Sequence, residues 1–530
     1  MTPRQRWTLV ATIIGSGAVF LDGTVVNVAL PRIGQELPAS VVGVLEGQTY
    51  IVSGYLAVLA ALLILAGALS DHYGRRRVFS LGLASFAITS AMCGLAPTME
   101  ALVVARLLQG AAGALLVPGS LSIITHAFEE GQRARAFGIW ASATSGLVLV
   151  GPLLGGLLVD TAGWRVAFLI NVPVLAFALW ATRVHLEESE REAATRFDWL
   201  GSLVAAIAVG GLSFGLIRGQ EREWADPFAW ITLGVGALAL VAFPILMATR
   251  RDPLVPLDLF RSRTFAAVNL ATFFIYGALY VTFSYQAIVF QGVLGYTALA
   301  AGATVLPIGL SLTFLSTRIG GLVGRYGPRR FLTAGPLLMA LGVLWYVRLP
   351  ADSAPWLASA SDPASLIPPV DVLVDVLPSL LLFGLGLSMV VAPLTSTVMS
   401  AVPAHLTGVG SAINNAISRV GQPLLGALIF VAISATFYST LASLAPGLDT
   451  ADIDVRRAFP PLNPPDAGAT GAQLQAAREA SVTAFRQSMI VGAALLAIGA
   501  LVNWVGLRPT PSGSDAVAPG DAGAVGHGAG

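Results

Sequence analysis

The sequence has 530 residues, of which 55% are hydrophobic and 11% are charged, with a formal net charge of +1. A soluble chain carries roughly a quarter of charged residues, so this chain has too little charge to cover a water-facing surface. The near-neutral balance argues against a nucleic-acid binder with a basic face. The mean hydropathy of +0.77 predicts a membrane protein.

Apolar runs long enough to cross about 30 Å of hydrocarbon, roughly 20 helical residues each, recur along the whole chain. In chain order, the predicted spans 1 to 14 are 8–30, 49–69, 78–96, 100–124, 136–159, 165–183, 199–218, 228–249, 265–290, 298–320, 331–349, 372–400, 406–438 and 487–507. We therefore predict an all-α polytopic membrane protein with 14 spans.

The basic residues predict the orientation. An even number of spans places both termini on one side of the membrane. Eighteen arginines lie on that side, against five in the short segments of the other side. Because positive residues favour the cytoplasmic side, we expect both termini in the cytoplasm, and we expect a multi-pass protein of a bacterial cell membrane.

Two echoes within the chain indicate an internal repeat. The stretch GALSDHYGRRR at 67–77 is matched by GGLVGRYGPRR at 320–330, and GPLLG at 151–155 by QPLLG at 422–426. Spans 1–6 therefore correspond to spans 9–14, and spans 7 and 8 are an insertion. Two halves repeated in the same orientation are typical of transporters in which one half rocks against the other.

This repeat predicts a division of the chain into four parts. They are a six-helix half at 1–185, two inserted helices with cytoplasmic loops at 186–263, a second six-helix half at 264–508, and a disordered tail at 509–530. We expect outer loops at 351–370 and 441–485, the second of which ends in a helix that leads into span 14.

Four stretches resemble the major facilitator superfamily, in particular its 14-helix drug:proton antiporter branch. They are FLDGTVVNVALP at 20–31, the 67–77 stretch, RLLQGAAG at 106–113 and GLVLVGPLLGG at 146–156. The resemblance implies proton-coupled export of amphipathic small molecules or drugs. The alternative is a dedicated exporter or importer of a specific metabolite, natural product or lipid-like molecule.

Two ionisable residues lie deep within predicted spans 1–6, where a charge costs several kcal/mol and is rarely idle. Asp22 and Arg106 lie about 22 Å and about 20 Å from the cytoplasmic surface at 1.5 Å rise per residue, so we expect them to face each other or share a network. Burial favours a neutral carboxyl and a guanidinium favours the charged form. We therefore predict that Asp22 and Arg106 couple proton movement, with a purely structural carboxylate or pin as the alternative.

Further polar residues within the spans are candidates for the wall of a substrate cavity. They are Asn27, Gln109, Asn171, Asn269, Gln286, Asn414, Asn415 and Arg419. Polar side chains also hold membrane helices together, so helix packing is the alternative for each.

The 67–77 loop has a physical interpretation of its own. Gly74 permits a tight turn with positive φ, and the arginines lie where anionic lipid of the inner leaflet favours them. The resemblance implies a gating loop formed by Gly67, Asp71, Gly74, Arg75 and Arg76, with Glu129 and Glu130 as possible partners for the arginines. Since Gly324 replaces the acid in the second copy, any latch is expected to be one-sided.

Span 5 is rich in glycine and contains a proline. Pro152 removes a backbone hydrogen bond and kinks a helix, and glycines permit close packing. The resemblance implies an antiporter helix at the interface of the halves, with Gly146, Gly151, Pro152, Gly155 and Gly156 as its marked residues.

Other functional classes find little support. The chain has no lysine, so it has no Walker A loop and cannot by itself be an ATP-driven pump. Five histidines, one cysteine and no His-Glu-x-x-His pattern give no catalytic residue, cofactor or metal site that we would predict, so we do not expect an enzyme. We expect a small-molecule substrate, protons and membrane lipid as partners, no nucleic acid and a monomer; the charge of the substrate stays open.

Overall fold

The computed structural model describes residues 1–188, 198–251, 253–403 and 406–507. Within these ranges, 14 helices are long and apolar enough to cross a membrane, so the predicted all-α fold class with 14 spans is confirmed. Spans 1 to 14 are Pro3–Glu36, Val44–Tyr73, Arg75–Gly94, Met99–Ala127, Glu130–Ala162, Trp164–His185, Trp199–Glu221, Pro227–Thr249, Arg263–Gly292, Ala298–Ala303 continued by Leu306–Tyr326, Pro328–Arg348, Val372–Ser400, Thr407–Leu444 and Gly471–Gly506.

Spans 4, 6 and 10 are each broken into two helices, which the hydropathy of the sequence does not reveal. Their first helices end at Ala114, Leu169 and Ala303, four residues before Pro118, Pro173 and Pro307. Proline has no N–H, so the carbonyl four positions earlier loses its helical hydrogen bond. Span 5 nevertheless runs through Pro152 as one unbroken helix.

The long loop between spans 13 and 14 is shorter than the predicted 441–485, and the helix expected at its end is the first part of span 14. Span 13 continues to Leu444 and span 14 begins at Gly471. The early start of span 14 has a local cause: the Thr470 hydroxyl accepts from the backbone N–H of Gln473, whose side chain accepts from Thr470 in return. Such a capping box starts a helix within a polar stretch, which hydropathy alone misses.

The internal repeat is visible in the turns that follow spans 2 and 10. Gly74 has φ of 100° and ψ of 131°, and Gly327 has φ of 77° and ψ of 153°. Side chains other than glycine rarely adopt such angles. In both copies the next helix begins at the very next residue, so the two glycines make the same turn.

The two halves are joined on the side of the membrane opposite the N-terminus, which we call the far side. Asp160 at the far end of span 5 accepts from the backbone N–H groups of Ala298 and Leu299 at 3.2 and 2.7 Å. The buried side-chain amides of Gln48 and Asn463 bond each other at 2.9 and 3.0 Å. These contacts close the far side.

Hydrogen bonds between the halves do not reach the N-terminal side within the described residues. The linkage nearest that side is the bond of 3.0 Å from the Ser284 hydroxyl to Asn27, about two-thirds of the way along span 1. Below it, a cavity separates spans 1 and 5 from spans 9, 10 and 12. The halves therefore form a V that is closed on the far side and parted on the N-terminal side.

Spans 7 and 8 attach to the far side through arginines. Arg218 of span 7 pairs with Glu46 of span 2 at 3.5 Å and with Asp226 at 2.9 Å. Arg456, in the outer loop of the second half, pairs with Glu223. Span 8 presents large apolar side chains outward, as lipid contact requires: Phe228, Trp230, Ile231, Leu238, Val241 and Ile245. These arginine ion pairs thus fasten the insertion to both halves at the far side.

Far-side closure depends on a glycine, and we predict that Gly156→Ala weakens it. A Cβ at Gly156 would collide with the backbone carbonyl of Ala298, whereas a Cβ at Gly138 of the same helix would have no atom within 4 Å. Overpacking costs typically about 1–3 kcal/mol, and 1.4 kcal/mol is about tenfold in an equilibrium. Gly138→Ala is the matched control.

The measurement is the distance distribution between spin labels on cysteines at Thr161 and Leu357, both exposed on the far side. The native Cys93 is buried, so it takes up little label. We expect Gly156→Ala to add a population at longer distance and Gly138→Ala to add none. Indistinguishable distributions for the two variants would contradict this account of closure.

Candidate functional site

An ion pair lies in the interior of the first half. Arg106 Nη1 donates to Asp22 Oδ2 at 2.5 Å, and the two side chains are 1% and 0% exposed. Gln109 completes a closed triangle: its amide donates to Asp22 Oδ1 at 3.1 Å, and its carbonyl oxygen accepts from Arg106 at 2.7 Å. The structure thus places in contact the two charges that the sequence puts at matching depths.

The guanidinium of Arg106 is held from other sides as well. Its Nε donates to the backbone carbonyl of Ile51 at 3.1 Å, and its central carbon lies 4.0 Å from the centre of the Tyr55 ring. Phe168 of span 6 lies at 5.8 Å. Arg106 therefore ties spans 1, 2, 4 and 6 together, and a buried pair needs such additional bonds to offset the loss of water.

Two residues predicted for the cavity wall belong to this network instead. The amide of Gln109 donates to Ser90 at 3.3 Å, and the amide of Asn171 donates to the same hydroxyl at 3.1 Å. Both side chains are buried inside the first half, and neither lines the two cavities described below. Spacing along a helix does not tell which of its faces meets the cavity, so the sequence could not separate the two roles.

The main cavity has a volume of about 730 Å³ and lies between the halves. Gly23, Thr24 and Asn27 of span 1 line it, as does Gln286 of span 9. Most of its remaining wall is apolar or aromatic. Asp22 is not in this wall, because it points from the opposite face of span 1 into the first half.

Span 5 packs through its glycines as the sequence suggests, with one exception. A Cβ at Gly151 would collide with Thr24, one at Gly155 would lie 3.0 Å from Val25 Cα, and one at Gly156 would strike span 10. Gly146 meets nothing within 4 Å and lines the cavity together with Pro152. Span 5 is therefore in close contact with both span 1 and the second half.

A polar recess of about 170 Å³ adjoins the main cavity, and the two share Tyr276 and Tyr280. Asn414, Asn415 and Arg419 of span 13 line the recess. Asn269 does not line it but lies behind it, accepting a hydrogen bond of 3.0 Å from Asn414. Asn269 therefore positions a residue of the wall.

The gating-loop residues are distributed around the turn at Gly74. Arg75 is buried, and Arg76 donates to the carbonyl of Arg183 at 2.9 Å. A Cβ at Gly67 would lie 3.8 Å from Pro118, an ordinary contact, so close packing does not require glycine there. The side chain of Asp71 lies outside the described part of the structure.

The acid beside this turn is Glu188, which the sequence did not single out. Its carboxylate accepts from the backbone N–H of Arg76 at 3.2 Å and lies 3.5 Å from Arg77. Glu129 is exposed and pairs with none of the described arginines, and the side chain of Glu130 lies outside the described residues. The prediction that Glu129 pairs with these arginines was wrong. It relied on the loop that follows next in sequence, whereas the chain after span 6 brings Glu188 beside the turn at Gly74.

Comparison with known proteins gives three kinds of similarity. A model of the Major Facilitator Superfamily matches residues 12–426. The multidrug resistance protein Stp of Mycobacterium tuberculosis is 34% identical over 455 residues, covering 84% of this chain and 80% of Stp. The tetracenomycin C resistance and export protein of Streptomyces glaucescens is 35% identical over 431 residues, covering 80% and 75%.

Among solved structures, a bacterial homologue of the human lysosomal transporter Spinster, in an inward-facing and unoccupied conformation, superposes with a TM-score of 0.63. It is 18% identical, and the match covers 96% of this chain and 97% of that one. At this identity the likeness concerns the fold alone.

The turn at Gly74 generates a prediction about transport. Gly74→Val forces a β-branched residue to φ of 100° and drives its side chain into the Glu188 carboxylate. We expect transport in proteoliposomes to fall severalfold or more, while the variant still inserts and purifies, because strain of about 1–3 kcal/mol is confined to a turn.

Gly327→Val is the matched variant, since it imposes the same kind of strain on the second copy. A smaller loss at Gly327 is the expected result for a one-sided latch. Equal losses of transport at both positions would mean that backbone strain alone causes the effect. Transport by Gly74→Val at the wild-type rate would contradict a gating role for this turn.

Proposed function

Because this chain belongs to the Major Facilitator Superfamily, a family of membrane transporters, we propose that it exports amphipathic small molecules in exchange for protons, with Asp22 carrying the proton. The relatives support export: one is named a multidrug resistance protein and another a resistance and export protein. For uphill export, a chain without a Walker A lysine needs an ion gradient as its source of energy.

The observation that carries the proton-coupling proposal is the buried pair of Asp22 and Arg106. A carboxylate in the membrane interior is stable as an anion only while a cation is beside it. Arginine stays protonated throughout, so the group that changes its charge is Asp22. Protonation of Asp22 removes one partner of the pair and leaves Arg106 on its bonds to Gln109, Ile51 and Tyr55.

Span 1 links this event to the cavity. Asp22 lies on the face of span 1 that meets span 4, and Gly23, Thr24 and Asn27 lie on the face that lines the cavity. The cavity face also packs against Gly151 and Gly155 of span 5. Loss of the ion pair frees span 1 to shift against span 5, and the cavity wall shifts with it. Substrate binding in the cavity and protonation of Asp22 thus oppose each other through the movement of span 1, although the two sites are not in contact.

The direction of transport follows from the orientation. With the termini in the cytoplasm, as the excess of arginines on that side favours, the far side is the outside. The V of the structure then opens inward, with Asp22 ionised and the cavity ready to load. We place the protein in the bacterial cell membrane as a monomer, with halves 1–185 and 264–508 joined by the insertion 186–263.

A narrower function is favoured by one finding. The tetracenomycin C relative bears the name of a single compound, so the chain could serve one metabolite rather than many. A growth-inhibition panel in an efflux-deficient host distinguishes the two. Resistance to several unrelated compounds supports broad export, and resistance to a single chemical class supports the dedicated exporter.

The proton role of Asp22 is tested by Asp22→Asn in proteoliposomes with an imposed pH gradient. Asparagine keeps the shape and stays neutral, as protonated Asp22 would be. We expect gradient-driven transport to be abolished while substrate binding stays within a few-fold of wild type. Asp22→Glu retains an ionisable group and should keep part of the activity with a shifted pH profile.

Asp258→Asn is the control, since Asp258 is also an aspartate paired with an arginine, Arg261, but both of these side chains are exposed outside the spans. It should keep gradient-driven transport. Uphill transport by Asp22→Asn at the wild-type rate would place the proton site elsewhere.

A further inference from the structure

Arg419 stands apart from the other deeply buried arginine of the membrane interior. It lies in span 13 and is 7% exposed, yet it forms no hydrogen bond or ion pair with any residue that the structure describes, and its Nε is buried without a partner. Its one described interaction is with the ring of Phe20, 5.7 Å from the guanidinium carbon to the ring centre. Arg106, by contrast, has five partners, namely Asp22, Gln109, Ile51, Tyr55 and Phe168.

An unpaired cation in the membrane interior costs free energy, so we look for a function that explains the position of Arg419. Arg419 lies in the wall of the polar recess. Neither the recess nor the main cavity has an aspartate or glutamate among its lining residues. The fixed charge of the combined site is therefore positive.

Several side-chain donors beside Arg419 on span 13 are engaged within the protein. The amide of Asn414 donates to Asn269 and Thr272, each at 3.0 Å. The amide of Asn415 donates to the carbonyl of Ser411, and the Ser418 hydroxyl donates to the carbonyl of Asn415. Among the described residues that line the recess, Arg419 is the one that carries a charge. Its guanidinium offers donors in a planar fork that suits two oxygens.

The recess and the main cavity together form one amphipathic site. Tyr276 and Tyr280, which belong to both, lie 6.2 Å apart between ring centres, and Phe20 forms a further wall of the recess. A flat aromatic body fits against such rings, with its bulk in the apolar cavity and one end directed at Arg419.

Building on the proposed export function, we propose that Arg419 binds an anionic oxygen group of the substrate, so that the preferred substrates are aromatic molecules with a carboxylate, sulfonate or phenolate at one end. Export of one anion in exchange for one proton moves two net positive charges into the cell. A membrane potential that is negative inside therefore drives this export as well. Cations find no fixed carboxylate in the described walls.

The test uses two dyes that differ only in a sulfonate: 8-anilino-1-naphthalenesulfonate and neutral N-phenyl-1-naphthylamine. Their binding to the full-length protein in nanodiscs of zwitterionic lipid is measured by fluorescence, with empty discs subtracted and no pH gradient. Wild type should bind the sulfonate about tenfold or more tightly than the neutral dye, as expected for a charge-assisted hydrogen bond.

Arg419→Gln should weaken sulfonate binding about tenfold and leave the neutral dye within about twofold. Arg419→Lys keeps the charge and should retain part of the preference. Arg318→Gln, an exposed arginine of the same half, is the control and should match wild type. Equal affinity of wild type for the two dyes overturns the proposal even if no variant folds, and so does an unchanged preference in a folded Arg419→Gln protein.

Because no gradient is present, the outcome separates this proposal from the proton-coupling one. A wild-type protein that shows no dye preference but intact pH-driven transport would refute the anion site alone. A clear preference in a protein that ignores the pH gradient would refute proton coupling and leave the anion site standing.

Discussion

The pair of Asp22 and Arg106 is the interaction on which the rest of this structure depends. It joins the first helix to the fourth at 2.5 Å inside a bundle that water does not reach, and Arg106 extends it to spans 2 and 6 through Ile51 and Phe168. Replacing such a pair by apolar residues often stabilises a protein, whereas removing one partner typically costs about 3–5 kcal/mol. A pair of this kind makes the bundle sensitive to a single proton, which is what proton coupling requires.

In the proposed mechanism, the glycines of span 5 pass a change at this pair on to the contact between the halves. Gly151 and Gly155 allow span 5 to lie directly on span 1, and Gly156 allows it to lie on span 10. A displacement of span 1 therefore passes through one helix to the far-side contact between the halves. The cavity lies on the open side of the same helices. In the proposed mechanism, the same contacts therefore determine the shape of the cavity, the access to it and the protonation of Asp22.

Much of this arrangement could be predicted from the sequence, because apolar runs and arginine placement are direct physical requirements of a bilayer. The turn glycines Gly74 and Gly327 and the matched depths of Asp22 and Arg106 follow from local rules. Glu188 and the inward position of Gln109 could not be predicted, since both depend on how helices rotate and return in three dimensions. A helix leading into span 14 could be predicted, but not its start at the Thr470 capping box, because hydropathy does not mark the beginning of a polar helix.

The most direct test of proton coupling is to observe the proton on Asp22. Infrared difference spectra of the purified protein in lipid, recorded as the pH is lowered, report the carbonyl stretch of a protonated carboxylic acid. With 13C-labelled aspartate, wild type should develop an isotope-shifted band of a buried acid, and the band should be missing from Asp22→Asn. An identical band in Asp22→Asn would contradict the account, because the titrating carboxyl would then be another residue.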